Sequence, residues 1–307
     1  MTEKENQIFH KQYFTPRRIA NFMIKFALAL EPGLLSENDK VMDPSAGEGI
    51  FLSEASNMDI VKKENLFAIE KDISLNDHWD MNGYYGIPRK NVIFADTLKL
   101  VVSESFKLVI GNPPFGLIRT DDADKLKVKR YTIYNDYIAT RKNRQISSFH
   151  MEVLFLEKFL GLCQPGGMIA IVLPHGIFSN SGMEYVRQWL SERCNIRAII
   201  ELGGRLFQSI GASARTTLLF AVKRQKNQEN IPKNKVILGY AEDIAQELGS
   251  NDDLQSLTEI INHPSLLNAT EQPANGTLKV QEKDFDELGL SRWDPSYYDP
   301  VYDSFYQ

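Results

Sequence analysis

The sequence has little cysteine and no long apolar run. Its two cysteines, Cys163 and Cys194, form no CxxC pair, so neither a structural zinc site nor a disulfide framework is expected. The longest apolar runs, such as residues 168–173, are far shorter than a bilayer-spanning helix. The N-terminal residues MTEKENQ are polar and do not resemble a signal peptide. These absences predict a protein of the reducing cytoplasm.

An excess of basic charge is also absent. The chain has 35 Lys and Arg against 40 Asp and Glu, which gives a net charge of −5. A basic field over the whole surface is therefore excluded, and any binding of nucleic acid would need a local basic patch or a partner. The hydrophobic fraction of 43% is sufficient to fill a core in a chain of this length.

The order of apolar segments predicts an α/β protein. Residues 17–30 carry apolar side chains at helical spacing, and Thr15 and Pro16 before them are typical of a helix start. Short apolar runs then alternate with helical patterns, including a predicted helix over 148–163. Strands separated by helices predict a mostly parallel sheet with crossover helices on both faces.

A polar, lysine-rich stretch over 224–235 interrupts this pattern. It predicts a linker between a catalytic domain over 1–223 and a smaller C-terminal region over 236–307. The sequence contains no evident internal repeat and no low-complexity tract.

Four consecutive predicted strands each end in an acidic or amide group. The groups are the turn DPSAGEG at 43–49, Glu70, Asp96 and the turn NPPF at 112–115. Ligands of open parallel sheets bind outside the carboxyl ends of the strands. The coincidence of the four groups therefore predicts a binding site at that edge.

The turn DPSAGEG favours a cationic ligand. Gly47 and Gly49 allow a ligand to approach the backbone, but Asp43 would repel the phosphate that a dinucleotide turn binds. The ammonium and sulfonium groups of S-adenosylmethionine suit such an acidic turn. Glu70 would then accept hydrogen bonds from the ribose hydroxyls, and Asp96 from the adenine amine.

The stretch GNPPFG at 111–116 is unusual after a buried strand, because proline cannot donate to a sheet ladder. An aromatic amine such as adenine N6 is a poor nucleophile, since its lone pair is delocalised into the ring. The side-chain oxygen of Asn112 and the carbonyl of Pro113 could accept its two hydrogens and favour the pyramidal form. Pro114 restricts the direction of that carbonyl, and Phe115 could stack on the base.

The following segment, 117–146, is long for a loop and locally basic. Residues 119–144 hold eight basic and four acidic side chains, with three tyrosines among them. Phosphate contacts and base stacking would use such residues, although a solvated surface hairpin has the same composition. The predicted nucleic-acid contacts are Lys125, Lys127, Lys129, Arg130, Tyr131, Arg141, Lys142 and Arg144.

Taken in order, QYFTP, DPSAGEG, AIEKD, FADTL and GNPPF resemble the motifs of amino-methyltransferases that act on adenine N6 in DNA, in the gamma arrangement. The stretches at 147–178 and 206–223 resemble the modification subunit of type I restriction–modification systems. The resemblance covers about residues 9–223. It implies a class I S-adenosylmethionine-dependent methyltransferase fold with a seven-stranded, mostly parallel, doubly wound sheet and a small C-terminal appendage.

The resemblance also assigns roles. The cofactor would be bordered or held by Phe14, Thr15, Pro16, Asp43, Pro44, Ser45, Ala46, Gly47, Gly49, Glu70, Asp96 and Asn112, and the target base by Asn112, Pro113, Pro114 and Phe115. The implied partners are double-stranded DNA with a flipped adenine, a separate specificity subunit and, in a complete system, a restriction subunit. No metal is implied.

Family members of the type I class usually carry a helical domain before the FTP element, whereas few residues precede it here. The tail over 288–300 resembles the junction to a target recognition domain, which we expect to be supplied separately.

Two other functions share part of this pattern. A methyltransferase acting on a guanine exocyclic amine in RNA, or on a protein glutamine amide, can carry an NPP-aromatic turn. A cofactor-binding subunit without catalysis is the second alternative. The QYFTP element and the basic segment favour DNA over the first. The intact Asn112 and Phe115 argue against the second.

Overall fold

The computed structural model describes residues 15–101, 103–119, 130–140, 148–202, 215–225, 235–241 and 278–298. The chain divides into two compact units, Met1–Ile24 with Gly33–Ile171, and Lys25–Pro32 with Val172–Gln307. Among the described residues, no helix is both long enough and apolar enough to cross a membrane.

The helices of the described residues follow the predicted alternation with strands. They are α1 (Arg17–Leu30), α2 (Ile50–Asn57), α3 (Asn76–Met81), α4 (Thr132–Thr140), α5 (Met151–Leu162), α6 (Gly176–Ser179), α7 (Glu184–Arg193) and α8 (Phe285–Leu288). The first of them has the bounds that the apolar spacing predicts.

The strands of the described residues are β1 (Val41–Asp43), β2 (Leu66–Glu70), β3 (Val92–Phe94), β4 (Phe106–Gly111), β5 (Leu117–Arg119), β6 (Ser148–His150), β7 (Cys163–Pro174), β8 (Cys194–Leu202), β9 (Thr216–Lys223), β10 (Lys235–Ala241) and β11 (Leu278–Asp284). All belong to the main sheet except β5 and β6, which form a separate two-stranded sheet.

The first unit contains the strand order β7-β4-β1-β2-β3, with every neighbouring pair parallel. Val41 of β1 lies opposite Leu66 on one side and Leu108 on the other, and all three side chains are fully buried. Parallel strands covered on both faces read as continuous apolar runs, which explains why these segments show no alternation in the sequence. Their carboxyl ends lie at one edge of the sheet.

The second unit contains the order β11-β10-β8-β9. Strand β10 is parallel to β8, whereas β9 and β11 are antiparallel to their partners. The main sheet therefore has nine strands in the described part of the chain, and the prediction of seven is wrong. Two of the additional strands come from the region predicted as an appendage, because Val236 and Leu238 of β10 are buried despite their lysine-rich surroundings.

The predicted helix over 148–163 is also wrong at its start. Residues Ser148–His150 pair with β5 in an antiparallel ribbon, with His150 opposite Leu117, and the helix begins only at Met151. The predicted linker over 224–235 stays a prediction, since residues 226–234 lie outside the described residues.

Candidate functional site

The predicted site lies in the first unit, at the carboxyl ends of its parallel strands. Asp43 ends β1 and is fully buried. Its Oδ1 accepts a hydrogen bond from the Ser45 amide at 3.0 Å, while Oδ2 has no hydrogen-bond partner among the described residues. Burial raises the pKa of Asp43 to about 8, and the nearby charge of Glu70 contributes in the same direction. A cationic ligand group would complement this buried carboxyl.

Glu70, at the end of β2, connects two strand ends. Its Oε2 accepts a hydrogen bond of 2.6 Å from the amide of Gly47, and its Oε1 one of 2.7 Å from the amide of Asp72. The carboxyl is buried, and burial raises its pKa despite these hydrogen bonds. The glycine turn, defined as Gly47-Glu48-Gly49, is thereby fixed to the neighbouring strand.

Two aromatic side chains hold the glycine turn from another side. The indole Nε1 of Trp79 donates to the Gly47 carbonyl at 2.9 Å, and the Tyr85 hydroxyl donates to the Glu48 carbonyl at 2.8 Å. A Cβ at Gly49 would lie 2.6 Å from the Trp79 ring and 2.9 Å from the Tyr85 ring, and Gly49 has a φ of +84°. Only glycine fits there without displacing the rings. The sequence analysis missed Trp79 and Tyr85.

Asp96 lies at the end of β3 and caps the short 3-10 helix Thr97–Lys99 by accepting from the Leu98 amide at 3.1 Å. Its Oδ2 forms an ion pair with Lys71 at 3.2 Å. The adjacent Thr97 hydroxyl donates to the carbonyl of Pro44 at 2.6 Å. The ends of β1 and β3 are therefore connected, which brings Asp96 to the same edge as the acidic turn.

The turn NPPF packs against the acidic turn through Gly111. A Cβ at Gly111 would lie 2.5 Å from the Asp43 carboxylate oxygen Oδ1, so a side chain has no room there. The Asn112 side-chain Nδ2 donates to the hydroxyl of the buried Thr15 at 3.1 Å. Three motifs that are distant in sequence, QYFTP, DPSAGEG and GNPPF, thus meet at one place. Pro16 follows Thr15 and accepts from the first turn of α1.

The far end of the NPPF turn is held by α5. Gly116 donates from its amide to Glu152 Oε2 at 3.0 Å and accepts from the Met151 amide at 2.8 Å. Glu152 is buried, and its Oε1 lies 2.9 Å from His150 Nδ1. Within the turn, Pro113 is buried while Pro114 and Phe115 are half-buried. No sequence signal separated Glu152 from the other charged residues of its helix.

The predicted nucleic-acid contacts divide into two groups. Arg130 and Tyr131 are described, and both donate hydrogen bonds to the Leu98 carbonyl. Tyr131 is buried, and burial raises its pKa to about 12. The ring would have to leave this position to stack on a base. Lys125, Lys127, Lys129, Arg141, Lys142 and Arg144 lie outside the described residues, as does Phe14.

The buried Lys158 of α5 supports the same anchor. Its ammonium donates to the Leu100 carbonyl and lies 5.3 Å from the centre of the Tyr131 ring. Burial lowers the pKa of Lys158 to about 8, and the positive charge of Arg130 adds to this effect. The described start of the segment 130–140 is therefore attached to the residues that follow Asp96. Within the described ranges, no group of three or more His, Cys, Asp and Glu side chains could hold a metal ion.

Comparison with known proteins decides the family. Residues 4–264 match the sequence model of the family described as N-6 DNA Methylase. The chain belongs to this family. The match confirms the predicted family and covers the acidic turn, Glu70, Asp96 and the NPPF turn.

A relative within curated proteins is the Type I restriction enzyme EcoEI methylase subunit of Escherichia coli, which is 24% identical over 242 residues. The alignment covers 71% of this chain and 44% of that relative, so the chain spans less than half of the relative's length.

Two solved structures confirm the fold class. The type I restriction-modification system methyltransferase subunit from Streptococcus thermophilus has a TM-score of 0.62 at 19% identity, covering 92% of this chain and 60% of that chain. A protein from Listeria monocytogenes described as a class I S-adenosylmethionine-dependent methyltransferase has a TM-score of 0.59 at 18% identity, covering 81% and 70%. The class I methyltransferase fold is therefore confirmed, although the strand count differs from seven.

Proposed function

We propose that this chain transfers a methyl group from S-adenosylmethionine to N6 of adenine in DNA. The observation that carries the proposal is the packing of the NPPF turn on the acidic turn. Gly111 leaves no room for a side chain beside the Asp43 carboxyl, and Asn112 follows directly. A ligand held by Asp43 and a base held by Asn112 would therefore lie next to each other, as direct transfer requires.

The residues of the acidic edge fit S-adenosylmethionine. Asp43 offers a buried carboxylate oxygen, Oδ2, without a hydrogen-bond partner among the described residues, which suits an ammonium group. Glu70 and Asp96 are further acceptors at the neighbouring strand ends, and Thr15 adjoins Asn112. When bound, the cofactor would supply an electrophilic methyl carbon on its sulfonium.

Asn112 and Pro113 would prepare the target amine. Because Asn112 Nδ2 donates to Thr15, the orientation of the amide is fixed and Oδ1 is its accepting end. Together with the Pro113 carbonyl, it would accept the two hydrogens of adenine N6 and return the lone pair to nitrogen. The half-buried Phe115 is available to stack on the base. The target adenine must leave the duplex to reach such a turn.

We also propose that sequence recognition depends on a separate specificity subunit, as the modification component of a restriction–modification system. The net charge of −5 supports this, because nonspecific attraction to DNA needs a basic surface. Methylation of one short motif by the purified chain alone would contradict the proposal.

A tritium-transfer assay tests the reaction and its substrate together. The purified chain, with and without the products of its neighbouring genes, is offered DNA, RNA and protein with labelled S-adenosylmethionine. We expect label in DNA as N6-methyladenine. Asn112→Ala should lower transfer by about 10²-fold or more, because a preorganised hydrogen bond to the reacting group is lost. Cofactor binding by calorimetry should remain.

The outcomes of this assay are distinct. Equal turnover by Asn112→Ala would contradict the assigned role. Label in RNA or in protein glutamine would replace DNA by one of the alternative substrates. Cofactor binding without transfer to any substrate would favour a subunit without catalysis.

A further inference from the structure

Four consecutive residues after α3 have a left-handed backbone. Gly83, Tyr84, Tyr85 and Gly86 have φ values of +55°, +51°, +55° and +78°. A left-handed conformation costs an L-residue about 1–2 kcal/mol, so the two tyrosines are unfavourable at these positions. Such strain persists only where surrounding contacts determine the conformation, and it occurs frequently at functional sites.

The left-handed turn sends its two tyrosines to different partners. The Tyr85 hydroxyl donates to the Glu48 carbonyl at 2.8 Å and lies 3.1 Å from His78 Nε2. The Tyr84 hydroxyl instead donates to the Asn76 side chain at 3.0 Å, and the guanidinium of Arg89 lies over its ring. Only Tyr85 therefore reaches the glycine turn.

Trp79 completes the contact with the glycine turn. Its side chain is fully buried, its Nε1 donates to the Gly47 carbonyl, and its ring contacts Tyr85 at 5.6 Å between centroids. The two aromatic donors thus engage consecutive carbonyls, while Glu70 accepts from the Gly47 amide. The backbone of the turn is held by hydrogen bonds on both sides.

We propose that Trp79 and Tyr85 are positioning residues that hold the glycine turn in its cofactor-binding conformation before the cofactor arrives. This inference rests on the proposed function. Neither side chain needs to touch the ligand, because each acts through a backbone carbonyl of the turn. A turn that is already ordered loses less entropy on binding, so the two hydrogen bonds should appear in cofactor affinity.

The test uses Tyr85→Phe and Trp79→Phe, which delete a single donor and keep an aromatic ring. Tyr84→Phe is the matched control, since it deletes a buried hydroxyl from the same left-handed turn without touching residues 47–49. We expect Tyr85→Phe and Trp79→Phe to raise the cofactor Kd by roughly three- to tenfold each, the equivalent of one hydrogen bond. The kcat at saturating cofactor should stay within about twofold, and Tyr84→Phe should leave the Kd unchanged.

Amide hydrogen exchange without cofactor gives a second readout. Tyr85→Phe should speed exchange at residues 47–49, and Tyr84→Phe should not. Unchanged exchange and Kd in Tyr85→Phe, or an equal loss in Tyr84→Phe, would overturn the inference. If the wild-type chain binds no S-adenosylmethionine, the proposed function is wrong, and the exchange result alone decides whether the two aromatic residues position the turn.

Discussion

Two turns of the first unit, at the ends of neighbouring parallel strands, are built in opposite ways. The acidic turn after β1 is mostly buried and is held by side chains from three other segments, through Glu70, Thr97 and the pair Trp79 and Tyr85. The NPPF turn after β4 contains two prolines and is held near its ends, by Thr15 at one side and Glu152 at the other.

The difference matches two binding tasks. A turn for one constant ligand can be fixed by packing from behind, because nothing needs to pass it. A turn for a base that enters and leaves must keep part of its surface open, so its stiffness comes from proline rings, which restrict the backbone without needing neighbours. The half-exposure of Pro114 and Phe115 agrees with this interpretation.

The largest effect should come from removing the buried acid of the first turn. Burial raises the pKa of Asp43 to about 8, so the folded chain holds a proton that the unfolded chain releases above about pH 4. Stability should therefore fall as the pH rises from about 4 to 8. Asp43→Asn, which cannot ionise, should gain on the wild type over this range, by at most about 5 kcal/mol near pH 8. Urea unfolding at several pH values measures the difference.

Asp39→Asn is the control for this experiment. Asp39 lies on the surface, and its hydrogen bonds from Ser36 lower its pKa. Its contribution to stability is present above the unfolded pKa and is lost as the pH falls, which is the opposite direction. A flat difference between wild type and Asp43→Asn from pH 4 to 8 would contradict the buried, protonated state of Asp43.

Filling the crowded glycine should have the next largest effect. Gly49→Ala combines an unfavourable positive φ with a Cβ 2.6 Å from the Trp79 ring. Gly33→Ala is the matched control, because Gly33 has a φ of +80° but no atom within 4 Å of the added carbon. We expect a loss of about 1–2 kcal/mol for Gly33→Ala and about 1–3 kcal/mol more for Gly49→Ala, measured by urea unfolding.

Cofactor binding separates the two glycine variants further. Gly49→Ala should weaken the affinity for S-adenosylmethionine, since the rings that hold the turn must move, whereas Gly33→Ala should not change it. Equal destabilisation and equal affinity in the two variants would mean that the aromatic pair yields without cost. The first turn would then be no more rigid than the second.

The two turns also differ in how much of them the sequence predicts. Asp43, Glu70 and Asn112 were predicted because a parallel sheet places its strand ends at one edge, and polar residues at those ends stand out against apolar strands. Gly111 was quoted with its motif, but its role depends on the distance to the Asp43 carboxyl, which no spacing reveals.

The support behind the glycine turn was not predictable in the same way. It requires Tyr84 and Tyr85 to adopt a left-handed backbone, which tyrosine disfavours, and only the flanking Gly83 and Gly86 indicate it. The strand β10 was missed for a different reason. Its buried valine and leucine stand between polar, lysine-rich residues, so local composition predicted a linker where tertiary pairing with β8 forms a strand.

The smallest effect should come from the support of the second turn. Glu152→Gln keeps an oxygen that can accept from the Gly116 amide at 3.0 Å, but it removes the charge that strengthens this bond and the contact with His150. We expect kcat to fall by a few-fold, equivalent to about 1 kcal/mol, with the cofactor Kd unchanged. Steady-state kinetics and calorimetry measure both.

Glu157→Gln is the matched control on the same helix. Glu157 also accepts two backbone hydrogen bonds, from Thr132 at 2.9 Å and Ile133 at 2.8 Å, but neither belongs to the NPPF turn. It should lower stability to a similar degree and leave kcat unchanged. If Glu152→Gln raised the cofactor Kd instead of lowering kcat, the two turns would act as one site, because support removed from the base side would then be felt at the cofactor side.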